Sequence, residues 1–305
     1  EQTTSLDVRV GGAELNVAVT AQRLGLQAAY VTRLTANPLG RMIANKAREH
    51  GVDTSHIVWT NDDRVGLYFT EFGASPRPNT VLYDRRDAAI ARVEPGMIDW
   101  RAVFAEARCF HTSGITPALS PSAAATTREA VKAAKEAGLK VSIDLNYRAR
   151  LWSQDQARSA MTEIMDRTDV LITTEEDTER VFGITGKDYE EVARALAKRF
   201  DLEAVAITLR ATPSVWRNTW GAIAYAGGEM HRSPILEVEL VDRVGAGDSF
   251  AGGFLFGYLK GGAGMGVRYG VAVSALKQTN PGDLCWATPD EVERTLSDGS
   301  LRIVR

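Results

Sequence analysis

Cysteine is scarce in this chain of 305 residues: Cys109 and Cys285 stand far apart and form no CxxC pair. That excludes a disulfide framework and makes a reducing compartment the default. The four histidines, His50, His56, His111 and His231, match no metal-ligand spacing and read as structural. Long hydrophobic runs are missing too. The most apolar stretch, 250–259, falls far short of the roughly 20 residues that a membrane-spanning helix needs. The opening EQTTSLDVRV has neither a basic n-region nor an apolar h-region, so no signal peptide is read there. A cytoplasmic location and no membrane partner are expected. A formal net charge of −3 excludes a nucleic-acid binder that works through bulk electrostatics, and the pair Arg85-Arg86 is too short to change that.

What is present is an ordinary globular composition, 44% apolar and 25% charged. The length suits one large α/β domain with a smaller appendage. From about residue 100, apolar runs alternate with helical patterns. Strands are predicted over 108–115, 140–145 (KVSIDL), 169–174 (DVLITT) and 204–209 (AVAITL). Helices are predicted over 15–24, 120–138, 154–167, 189–200, 249–259, 265–278 and 289–296. The second of these opens with Ser-Pro-Ser, a cap followed by a first-turn proline, and closes at Gly138. Continuous apolar strands separated by helices indicate parallel pairing, buried on both faces. The expectation is a doubly wound sheet, which binds ligands outside the carboxyl ends of its strands. Only 6–10 reads as a strand before Gly11-Gly12, so the chain looks one strand short at its start.

Residues 56–95 read differently. HIVWT, VGLYFTEFG, NTVLYDRR and AIARV are short, partly alternating strands separated by the turn signals Asn61-Asp62-Asp63 and Pro76-Arg77-Pro78-Asn79. The expectation is a small antiparallel β element, with a contribution from 5–12, inserted into an α/β body of 1–55 and 96–305. Such an insertion serves as a lid that excludes water or as a dimer interface.

The most informative stretch is VDRVGAGDSFAGGFLFGYL. Its Gly245-Ala246-Gly247-Asp248 fits neither the dinucleotide fingerprint, since Phe250 stands where glycine belongs, nor a Walker A loop. What remains is a small-residue turn that opens a helix. Successive N–H groups there can face an anion, glycines admit a phosphate to the main chain, and the helix dipole favours negative charge. An acid in the same turn makes sense if Asp248 takes a proton from an attacking hydroxyl beside the phosphate. Aspartate is also a favoured helix cap, and local physics alone leaves both roles open.

DRVGAGDSFAGG resembles the C-terminal signature of the ribokinase-like sugar kinases, the phosphofructokinase-B group, whose pattern is D-x-x-G-A-G-D-x-F-x-x-G. Asp242, Gly245, Ala246, Gly247, Asp248, Phe250 and Gly253 all match. VGGAELNVAVTAQRLG resembles that family's N-terminal signature, and Gly40 also fits. Within the family the wording is closest to the 2-keto-3-deoxygluconate kinases, through GGAELNVA, GLYFTEFG, VLYDRRDAAIA, SIDLNYRARLWS and the late Pro-Gly-Asp.

The resemblance implies a ribokinase-like three-layer α/β fold with a β lid, and ATP and Mg²⁺ as cofactors, with a monovalent cation left open. Asp248 becomes the base, and Gly245, Ala246 and Gly247 the anion hole. Gly12, Asn16, Tyr68, Tyr83, Arg85 and Arg148 become sugar-acid contacts, with Asp283 a weaker candidate. Asn146 and Arg148 lie near the phosphates, Thr174 in the metal- and phosphate-side run, and Thr208 and Arg210 near the nucleotide. Three features depart from the family: the first strand is missing, and ITLRATPSVWRNTWGAIAY replaces a Gly-rich nucleotide loop. The third departure is Thr174-Glu175-Glu176-Asp177, which stands where the family has Asn-Glu-Glu-Glu. Asp177 is therefore the metal candidate, with the placement of Mg²⁺ open.

Each residue also has a plainer reading. Gly12 can simply need a positive φ, Tyr68 and Tyr83 can be cross-strand packing, and Arg85 and Arg148 can be solvated charges. The expected reaction is phosphoryl transfer from ATP to a primary hydroxyl of a 2-keto-3-deoxy sugar acid. Its rivals are a kinase of the same fold for a neutral sugar or nucleoside, and a non-catalytic sugar-binding regulator. The partners expected are the sugar acid, ATP and a second copy of the chain, as a homodimer or larger homo-oligomer.

Overall fold

A computed structural model describes residues 3–214 and 216–297. The chain runs α1 (Ala13–Arg23), β1 (Thr32–Thr35), α2 (Pro38–Glu49), β2 (Ile57–Thr60), β3 (Leu67–Glu71) and β4 (Thr80–Asp84). After a 3-10 turn at Ala89–Arg92 come α3 (Trp100–Phe104), β5 (Cys109–Ser113), α4 (Ile115–Ala118), α5 (Pro121–Glu136), β6 (Lys140–Asp144) and α6 (Gln154–Met165). Then follow β7 (Val170–Thr173), α7 (Glu175–Phe182), α8 (Tyr189–Phe200), β8 (Ala204–Ser214), β9 (Arg217–Ala226), β10 (Glu229–Arg232) and β11 (Leu236–Glu239). Two helices close the described chain, α9 (Ala246–Lys277) and α10 (Pro289–Ser297).

The main sheet is mixed. β5, β6, β7 and β8 pair in parallel, in that order. β9 adds antiparallel to β8, and β10 and β11 share the far edge of β9. Alternate residues of β8 face opposite cores. Val205 and Ile207 join Val141, Ile143, Leu171 and the helices α5, α6, α7 and α8. Ala204 and Ala206 join Ala222, Ala224, Phe250 and Phe254 on the other side. The large residues fill one core, and the alanines leave room on the other for the two α9 phenylalanines, which are fully buried. These are the expected three layers, with both sheet faces covered.

Several elements differ from the sequence reading. Ile57–Thr60 pairs in parallel with β1, not within an antiparallel insertion. Its neighbour lies 25 residues upstream, as in Thr32 opposite Ile57, and local pattern cannot reveal such a partner. AIARV is a 3-10 turn, and residues 6–10 form no strand and add nothing to the β3–β4 pair. The antiparallel element is thus a two-stranded hairpin, with Tyr68 opposite Tyr83 and Phe69 opposite Leu82. The two helices predicted over 249–259 and 265–278 are both present, as the two halves of α9, separated by non-helical backbone at Gly261 and Gly262.

Among the described residues, β1 and β5 each keep one edge without a strand partner. Thr32, Arg33 and Leu34 on one side, and Phe110, His111 and Thr112 on the other, border the same cavity.

Candidate active site

The turn before α9 is fastened from several sides. Asp242 opens it, with Oδ1 accepting from Val244 N and Oδ2 from Gly282 N, both at 2.9 Å. Gly245 is the N-cap with φ 80, and a Cβ there would run into the Asp283 carbonyl, so position and backbone both require glycine. Gly247 is the reverse case: a Cβ there would meet nothing within 4 Å, because the residue borders open cleft. The amide of Ala246 is used on Arg243 O and that of Ser249 on Gly245 O. Between them, the first-turn amides of Gly247 and Asp248 have no intrahelical acceptor, as the start of a helix dictates. This is an anion cradle with room above it.

Asp248 does not cap α9, since Gly245 holds that position. Its carboxylate accepts instead from Asn16 Nδ2 at 2.7 Å. Asn16 reaches it because α1 and α9 pack tightly: a Cβ on Gly252 would overlap the Thr20 side chain. Burial lifts Asp248 to about 7, against the Asn16 bond and Arg148, which act to lower it. The same Asn16 amide lies 3.4 Å from Asp283 Oδ2, and Tyr68 Oη donates to Asp283 Oδ1. Burial raises Asp283 as well, and the Tyr68 phenol still more. A continuous chain of hydrogen bonds therefore runs from the β3–β4 hairpin to Asp248.

Arg85 lies one residue past β4, with its guanidinium 4.2 Å above the Tyr83 ring. Its buried Nε has no hydrogen-bond partner among the described residues. Arg148 lies past β6 and borders the same cleft, close enough that the two guanidinium charges oppose each other. Arg85 and Arg148 both border the cleft, and the idle donor of Arg85 suits an anion there.

Every candidate catalytic, substrate, nucleotide or metal residue read from the sequence borders one cavity of about 2120 Å³, while the signature residues Gly40, Asp242, Phe250 and Gly253 do not line it. Gly12 sits at its floor with φ 148, so it does need a glycine backbone, and it opens α1. Asn146 lies at the carboxyl end of the sheet with φ 38. Thr174 caps α7 through Asp177 N at 3.0 Å. Thr208 is buried on β8, and Arg210 is exposed beyond it, near enough to favour ionised Asp177.

Three residues escaped the sequence reading. Asp144 ends β6 inside the cavity, and burial, with Asp248 and Asp177 nearby, raises it to about 8. An acid directly after an apolar strand was its signal. Glu14 Oε1 accepts from Thr112 Oγ1, Ser113 N, Ser113 Oγ and Thr116 Oγ1, which ties α1 to the end of β5. Lys277, fully buried at the end of α9, left no signal.

Among the described residues no three acidic or imidazole groups converge as a ready-made metal site. Asp144 and Asp177 both border the cavity and lie near each other electrostatically.

A carboxyl group poised near neutrality beside an open anion cradle, in a cleft that Arg85 and Arg148 also border, is the arrangement of a small-molecule phosphotransferase. Comparison with known proteins sharpens this. The pattern of the pfkB family carbohydrate kinases matches residues 2–287, and the chain belongs to that family. It is 42% identical to a 2-dehydro-3-deoxygalactonokinase of Haloferax volcanii, over 100% of this chain and 93% of the relative. A 2-dehydro-3-deoxygluconokinase of Thermotoga maritima superposes with a TM-score of 0.94 and 42% identity, covering 97% of this chain and 92% of the other. A fructokinase of Xylella fastidiosa with bound ATP shares the fold at 24% identity, with a TM-score of 0.80 over 95% and 91% of the two chains.

Proposed function

We propose that the protein transfers the γ-phosphoryl group of ATP to a primary hydroxyl of a 2-keto-3-deoxy sugar acid. The observation that carries this reading is Asp248, raised to about 7 and held by Asn16 at the mouth of the anion cradle. A sugar hydroxyl is not ionised at neutral pH, so its proton must leave as the new P–O bond forms. Asp248 accepts that proton, while the open amides of Gly247 and Asp248 take up charge on the transferring group. Arg148 faces the phosphates. Asp144 and Asp177 would hold Mg²⁺, which would supply charge neutralisation to the phosphates. Thr208 and Arg210 flank the nucleotide.

The acid end of the substrate goes to Arg85 and Tyr83, with Arg148 bridging sugar and nucleotide. The names of the Haloferax and Thermotoga relatives support a sugar acid over a neutral sugar. The β3–β4 hairpin closes over the sugar as a lid. Its outer face exposes Leu67, Phe69 and Leu82, which suits pairing with a second copy of the chain.

The test is ADP release with Mg-ATP and a panel of sugar acids, neutral sugars and nucleosides. Turnover confined to 2-keto-3-deoxy acids is expected. Preference for a neutral sugar would remove the carboxylate from the reading, and no turnover with any substrate would leave a binder.

A further inference from the structure

Lys277 ends α9 with its side chain fully buried. An ammonium out of water costs several kcal/mol unless it is well partnered, so its surroundings must justify it. Nζ donates to the backbone carbonyl of Asp242 at 2.9 Å. Burial acts to lower the pKa of the Lys277 ammonium, and the carboxyl groups of Asp242, Asp283 and Asp248 together with Cys285 act against it, Asp242 most strongly. The last turn of α9 makes further bonds to the same segment. Gln278 O accepts from Val241 N and Asp242 N, and Ser274 Oγ donates to Ala246 O at 2.7 Å. The end of α9 thus holds the turn that precedes its start, and Lys277 is the charged group that this end contributes to the clamp.

We infer that Lys277 is the resident cation of the anion-cradle turn. This rests on the phosphotransferase reading above. Its ammonium fixes the Asp242 carbonyl, and so the course of the chain through Gly245 to Asp248. It also supplies a positive charge beneath a turn that must face both a phosphate and two buried carboxyl groups. Lys277 touches no reacting atom and is a positioning residue. Because the charge is tethered, the turn needs no free monovalent metal ion.

Two measurements test this. In the first, the wild-type protein is assayed with tetramethylammonium as the only monovalent cation, and K⁺ is then added. The expected change in kcat is less than about twofold, since no site is left to fill. Turnover that depends on K⁺ would overturn the inference, whatever the variants do.

In the second, Lys277→Met keeps the stem and removes the charge. Its kcat should fall by roughly 10- to 100-fold, with KM for the sugar nearly unchanged. Lys277→Ala should be slower still and recover in part with propylammonium, but not with tetramethylammonium. A folded Lys277→Met with wild-type kcat would overturn the inference. Calorimetry with a non-hydrolysable ATP analogue separates this from failure of the sugar-acid reading. If no sugar is turned over, K⁺-independent binding by wild type and weaker binding by Lys277→Met still uphold the role of Lys277. K⁺-dependent wild-type binding, or unchanged binding by Lys277→Met, would refute it.

Discussion

Asn16 Nδ2 stands 2.7 Å from Asp248 Oδ2, although the two residues are 232 positions apart. The amide donates to the ionised form of Asp248 and so opposes the burial that lifts it to about 7. Asn16→Leu removes that opposition. Asp248 should then ionise at higher pH, and the acid limb of the kcat/KM profile should move to the alkaline side. A lost hydrogen bond to a charged group, about 1.5–3 kcal/mol, corresponds to a fall of roughly 10- to 150-fold in kcat/KM at pH 7. An acid limb that stays in place would disconnect Asn16 from the base.

Asp248→Asn keeps the shape and loses the proton acceptor. Its kcat should fall by roughly 10²–10⁴-fold. Helix α9 should not suffer, since Gly245 and not Asp248 is its cap. The stability effect has a definite sign. The folded value near 7 lies above the unfolded value of about 3.9, so the wild-type carboxyl contributes stability that is complete below pH 4 and lost as pH rises through 7. Asparagine cannot ionise. The melting temperature of the variant relative to wild type should therefore be higher at pH 8 than at pH 5. The opposite trend would show that the carboxylate is stabilised by partners that the geometry does not reveal.

Much of this site was legible because its residues sit at ends of strongly patterned elements. KVSID is an apolar strand that ends in the cavity, and helix 189–200 is bounded by Asp188 and Phe200 as its pattern requires. The meander β9–β11 was not legible. β9 is buried on both faces through most of its length, so it lacks a two-residue period. Helix α7 escaped because it starts with three acids and has only eight residues. Ile57–Thr60 was seen as a strand, but its partner β1 was not, since pairing depends on tertiary position rather than pattern. Lys277 was hidden because its partner is a main-chain oxygen 35 residues away.

The Tyr68–Asp283 bond joins the hairpin to the Asn16–Asp248 pair, so lid closure and base geometry should be coupled. Amides of 67–71 and 80–84 should gain hydrogen-exchange protection when substrate saturates the cleft. In Tyr68→Phe the gain should shrink, and kcat should fall along with it. Unchanged exchange in the wild-type hairpin under saturating substrate would remove it from the mechanism.

The carboxylate of a sugar acid needs a fixed positive partner, and the cleft offers Arg85 and Arg148. Arg148 is exposed past β6, beside Asp144, Asp177 and Asp248, which places it on the phosphate side. Arg85 lies with Tyr83 on the hairpin side, its guanidinium braced on the ring and its Nε without a partner among the described residues. Burial already disfavours its charge, so a carboxylate that pairs with it relieves an existing cost. A planar fork braced in this way binds a carboxylate bidentately, which a lysine cannot do. Arg85→Met keeps much of the stem over Tyr83 and removes the fork. The loss of about 1.5–3 kcal/mol should lower kcat/KM for the sugar acid by roughly 10- to 150-fold. Arg85→Lys should recover only part of this. Residual activity on neutral sugars should barely move, because they carry no charge to lose. Equal losses on acid and neutral substrates would make Arg85 a structural residue of the hairpin, and no loss on either would leave the carboxylate to Arg148.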